Sequence, residues 1–117
     1  MAKKPTKKEF MLLFRGGTDM ADLTPAQQKQ VMEGWFAWMG ALKQNDHYTG
    51  GAPLDDDGRV VSGRKGSSVK AFVDSKLAVG GYILIQAKNL AEAVKVSRGC
   101  PILERKGSVE VRPIQAM

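Results

Sequence analysis

Proton transfer near neutral pH is histidine chemistry, and this chain has one histidine, His47. A carboxylate can orient such a ring and balance its charge, and Asp74 is the candidate partner. Both are candidate catalytic residues, although nothing in their spacing shows that they meet. Large aromatic rings make natural walls for a ligand pocket. Trp35 and Trp38 are three residues apart, which puts them on one helical face, with Tyr48 and Phe72 available beside them. Lys76 and Arg112 are the cations placed to hold an anionic end. Together these residues outline a pocket between helix and sheet for a small, partly apolar ligand.

Other chemistries fit the sequence poorly. One cysteine, Cys100, cannot form an intrachain disulfide, and one cysteine with one histidine cannot build a zinc site, so no metal or cofactor is expected. If Gly58 of Asp55-Asp56-Asp57-Gly58 took the glycine position of a calcium loop, the first ligand would be Pro53 and the closing glutamate Arg64. Gly63-Arg64-Lys65-Gly66-Ser67 has glycines and bases but lacks the order of a phosphate-binding loop.

With 117 residues the chain has room for one domain and one core. Residues 1–8 read as a basic, solvated lead-in and 9–117 as the domain. The apolar run after the lead-in stops at Arg15, too short for a signal-peptide core. The longest apolar runs, Met11 to Phe14 and Tyr82 to Ile85, fall far short of the ~20 residues that cross a membrane. A soluble, cytoplasmic protein is expected. The formal net charge of +6 raises the question of nucleic acid; four of the basic residues lie in the first eight positions, where a solvated tail accounts for them.

The elements that would position these residues can be read from periodicity and punctuation. Glu9 to Arg15 alternates as a strand, Phe10, Leu12 and Phe14 on one side and Met11 and Leu13 on the other. Thr24-Pro25-Ala26-Gln27 supplies a hydroxyl N-cap, a proline at the first helical position and a glutamine for a capping box. The helix it opens, Pro25 to about Asn45, carries the stripe Val31, Trp35, Trp38, Met39 and Leu42. Asp46 to Gly51 is a short strand. Arg59 to Val61 and Val69 to Val73 are strands or one irregular ribbon around a polar loop. Gly80 to Gln86 is a strand, Asn89 opens a second helix with Leu90, Ala93, Val94 and Ser97 inward, and Ser108 to Ile114 is the last strand.

This order is a ferredoxin-like βαββαβ α+β sandwich, two helices on one face of an antiparallel sheet. Phe10, Leu12, Ile83 and Ile85 offer more apolar residues than one sheet face can hide, so a second subunit is expected on the open face, as a homodimer.

Five features together, Phe10 to Phe14, Thr24-Pro25, the strand Gly80-Gly81-Tyr82, the pair Asp74 and Lys76, and the ending Glu110-Val111-Arg112-Pro113, resemble the YCII-related, or DGPF-domain, family over roughly Lys8 to Ile114. The resemblance implies a ferredoxin-like fold pairing into a dimeric α+β barrel. Family members often carry a histidine within the first helix and an aspartate opening Asp-Gly-Pro-Phe, a presumed acid–base pair. Here Trp35 stands at the histidine position and Val69 at the aspartate, in Val69-Lys70-Ala71-Phe72. Neither side chain can move a proton as that pair would.

The resemblance and the residues together point to a small-molecule-binding or accessory protein. The alternative is an enzyme of the dimeric α+β barrel kind, doing proton-transfer or isomerase-like chemistry through His47 and Asp74. A third reading is an RNA-binding module, because RNA-recognition motifs share the βαββαβ order. It is disfavoured because Asp74 and Ser75 stand where a stacking aromatic is needed.

Overall fold

A computed structural model describes residues 7–55, 57–71 and 78–115. Strand β1 (Lys8–Gly16) is followed by helix α1 (Pro25–Gln44), β2 (Tyr48–Pro53), the pair β3 (Arg59–Ser62) and β4 (Ser68–Ala71), then β5 (Val79–Ala87), α2 (Leu90–Ser97) and β6 (Gly107–Pro113). The main sheet has the order β2-β5-β1-β6, antiparallel throughout. With the ribbon β3–β4 set aside, this is the expected split βαβ sandwich. The second strand starts two residues later than its composition suggests, because Asn45 to His47 are spent on ending α1.

Local chemistry explains the element boundaries. Thr24 Oγ1 accepts from the Gln27 backbone N–H at 3.2 Å and Gln27 Oε1 accepts from the Thr24 N–H at 2.9 Å, a complete capping box with Pro25 just inside the helix. Asn89 Oδ1 accepts from the Glu92 N–H at 2.9 Å, but Glu92 reaches one residue further back, taking the Lys88 N–H at 3.0 Å. The short α2 turns Ala93 and Ser97 into the core with Val96 against it, while Leu90 and Val94, expected inside, are exposed. Ser97 is tolerated there because its hydroxyl donates to the Ala93 carbonyl at 2.6 Å.

The core lies between the helices and one sheet face. Phe10 pairs with Ile85 and Leu12 with Ile83 across β1 and β5, and residues directly opposite share a face. All four are at most 4% exposed, beneath Trp38, Leu42 and Ala93 of the helices. This corrects the argument for a second subunit, because those residues do not exceed what one face can hide. The other face carries Met11 opposite Leu84 and Leu13 opposite Tyr82, all half-buried, beside Glu110 and Arg112 of β6. Arg15 and Arg112 both pair with Glu110 there.

The β3–β4 ribbon forms a separate two-stranded sheet whose side chains are almost all exposed. Val61 lies opposite Val69, and each is 62% exposed.

Gly51 of β2 lies opposite Ile83 of β5. Its φ is +151°, and a Cβ there would stand 2.6 Å from the Tyr82 carbonyl oxygen and 2.9 Å from the Ile83 Cα. Neither neighbour is a flexible side chain, so Gly51→Ala forces the edge strand off the sheet. Urea unfolding of this variant is expected to show a loss of about 2–4 kcal/mol.

Candidate functional site

An aromatic cluster fills the space between α1 and the sheet. Trp35 meets Phe14 edge-on, with ring centroids 5.1 Å apart and planes at 84°, and meets Trp38 at 5.8 Å. Phe14 and Trp38 close the triangle at 6.1 Å. Edge-to-face contacts of this kind add to what burial contributes. The Trp38 indole N–H donates to the Val96 carbonyl at 3.3 Å, tying α1 to α2. Gly99 packs closely beside it, where a Cβ would come within 3.1 Å of the indole ring.

Beyond this cluster, the end of α1 and the side of α2 form a groove of about 350 Å³, lined among others by Trp38, Leu42, His47, Glu92, Lys95 and Val96. His47 is placed there by the way α1 stops. The His47 N–H donates to the Leu42 carbonyl at 2.8 Å and the Asp46 N–H to Lys43 at 3.2 Å, with Asp46 left-handed at φ 60°. These are the two bonds of a Schellman motif, with aspartate where glycine is usual.

β5 then locks the histidine. The Gln86 N–H donates to the His47 carbonyl at 2.8 Å, and the Gln86 amide donates to the Asp46 carbonyl at 2.7 Å. His47 Nδ1 lies 2.8 Å from the Gln86 carbonyl oxygen. A carbonyl oxygen only accepts, so Nδ1 carries the hydrogen and Nε2 of the neutral ring is left as a lone-pair acceptor.

Glu92 faces the same groove. Its carboxyl is held below the usual carboxylate range, chiefly by the Lys88 backbone N–H; desolvation, the second-largest effect, opposes this, and the charges of His47, Lys88 and Lys7 add to the lowering. Cys100 behaves in the opposite way. It is 2% exposed, and burial pushes its thiol up to about 11, opposed by a hydrogen bond with the Ile102 backbone. It stays protonated and is a packing residue, not a nucleophile.

The other residues singled out from the sequence fall in different places. Trp35, Trp38 and Tyr48 all lie against the core on the helix side. Arg112 pairs with Met11 and so stands on the opposite sheet face, away from the tryptophans. Asp74, Phe72 and Lys76 lie outside the described residues. Trp35 is partly buried against the core while Val69 is exposed on the ribbon. Among the described residues, no cluster of three or more histidine, cysteine or acidic side chains is arranged to hold a metal ion. No helix among them is long and apolar enough to cross a membrane.

Comparison with known families adds the one assignment that geometry alone does not make. The YCII-related domain matches residues 9–117, nearly the whole chain. The chain belongs to the YCII-related family. A search of curated proteins finds no match to it. This YCII-related protein has two tryptophans at the interface between helix and sheet.

Sequence reading missed Glu92 and Gln86 as neighbours of His47. The helix start at Asn89 was visible, but not that Glu92, three residues on, would bring a carboxylate to the end of α1.

Because the Glu92 carboxyl is lowered in the folded chain, its ionised form stabilises the fold above the ordinary unfolded value of ~4.3, and that contribution disappears as pH falls through the lower native value. Glu92→Gln should therefore melt below the parent at pH 7, and the difference should close as the pH is taken to 3.

Proposed function

We propose that this YCII-related protein is a homodimeric small-molecule-binding or accessory protein that does not use the family's presumed histidine–aspartate pair. The observation that carries this reading is the environment of Trp35. Its ring is partly buried and packed edge-on against Phe14 and Trp38, so an indole held by the core's aromatics stands where an imidazole would work. Val69, at the position assigned to the aspartate, is on the exposed ribbon. A valine there supplies no proton, no charge and no hydrogen bond to a ring.

The homodimer is supported by the face opposite the helices. Met11, Leu13, Tyr82 and Leu84 form an apolar strip across the two central strands, bordered on β6 by Arg112 and Glu110. A twofold pair of sheets would cover that strip and place like surfaces against each other.

The binding reading is tested by thermal denaturation against a broad set of metabolites. A ligand at a hundredfold its Kd adds about 2.7 kcal/mol to the native state, which for a domain of this size is a rise of several degrees. A set that produces no rise at saturating concentrations contradicts binding and leaves a structural role. Trp35→His, which restores the family residue type, should lose about 1–3 kcal/mol because a large, partly buried ring is replaced by a smaller polar one. It should gain no hydrolytic or isomerase turnover; turnover in that variant would overturn the reading.

A further inference from the structure

The groove between the C-terminal end of α1 and α2 joins an apolar floor to a polar rim of defined hydrogen-bonding character. Its floor is Trp38, Leu42 and Val96, and its rim includes His47, Glu92 and Lys95. The volume of about 350 Å³ is at the small end of the ~300–1,000 Å³ typical of ligand sites, the size for a single-ring molecule.

The rim narrows the chemistry further. With Nδ1–H given to Gln86, the His47 ring in its neutral form offers a lone pair at Nε2, which takes an O–H and repels a carboxylate. Lys95 supplies an ammonium donor, and one oxygen of Glu92 is occupied by the Lys88 N–H, so its remaining negative charge also disfavours an anion. A hydroxyl satisfies both partners, donating to His47 and accepting from Lys95. An aromatic body satisfies the floor, because the Trp38 indole is held in place by its bond to Val96.

We propose that this groove binds a small neutral hydroxyaromatic molecule, a phenol or close relative, with its ring on Trp38, Leu42 and Val96 and its hydroxyl between His47 Nε2 and Lys95. This deepens the small-molecule-binding reading and rests on it. The site is separate from the helix–sheet interface in which Trp35 is packed.

The test uses the full chain, labelled with ¹⁵N and ¹³C and titrated with p-cresol, followed by NMR. The single histidine gives one imidazole spin system, and the two indole N–H signals are told apart with Trp35→Phe. Saturable shifts of the His47 ring and the Trp38 indole with one common Kd are expected, and benzoate should bind at least fivefold more weakly. Lys95→Met, an exposed position, should weaken p-cresol at least fivefold with the amide spectrum otherwise preserved; His47→Leu, accepted only if its amide spectrum matches the parent, should do the same.

Shifts that stay linear in p-cresol, equal affinity in Lys95→Met, tighter binding of benzoate, or saturation centred elsewhere would each overturn the proposal. If p-cresol fails while a compound from the metabolite set still raises the melting temperature, the groove assignment falls and the binding reading stands. If both fail, both fall.

Discussion

The arrangement depends on one packing interaction, the edge-to-face triangle of Phe14, Trp35 and Trp38. Phe14 brings in the central strand β1, the two tryptophans bring in α1, and the indole N–H of Trp38 brings in α2 through Val96. One cluster therefore joins three elements far apart in sequence. Its geometry has a direct chemical consequence. The three rings occupy the space between helix and sheet, and the groove lies beyond them, where α1 ends and α2 begins.

That outer groove exists because two local devices meet. The Schellman ending of α1 turns the chain sharply at Asp46 and directs His47 toward β5, where Gln86 holds its backbone and its ring. The N-cap of α2 places Asn89 and Glu92 on the adjoining side, with Glu92 drawn back to Lys88. Neither device needs a long-range code, since each is a few residues of backbone chemistry. The contacts between them depend on β5, which supplies Gln86 to one and leads directly into the other.

Much of this fold was legible in the sequence, for reasons that particular residues make plain. Thr24 to Gln27 is a signal contained in four positions, and the alternation of Phe10, Leu12 and Phe14 needs only the strand's own period. What alternation cannot supply is the face that a second strand shares with the first. Phe10, Leu12, Ile83 and Ile85 looked like two apolar sets until the register placed Phe10 opposite Ile85 and Leu12 opposite Ile83, one set on one covered face. The inward side of α2 was misjudged at Leu90 and Val94 because eight residues hold barely two turns, too few to fix a stripe by periodicity. The groove was hidden for a related reason. His47 and Gln86 are 39 positions apart, and aspartate at position 46 does not announce a left-handed helix ending as glycine would.

The central proposal is that one sheet face is filled from within and the other is completed by a second copy, leaving ligands to the helical side. Light scattering coupled to size separation, across a range of salt and with and without mixed RNA, tests it most directly. The account predicts a mass near twice 12.7 kDa that is unchanged by salt and by RNA. A monomer that binds RNA at low salt and releases it at high salt would contradict it, because the strip of Met11, Leu13, Tyr82 and Leu84 would then be a nucleic-acid platform rather than a subunit interface.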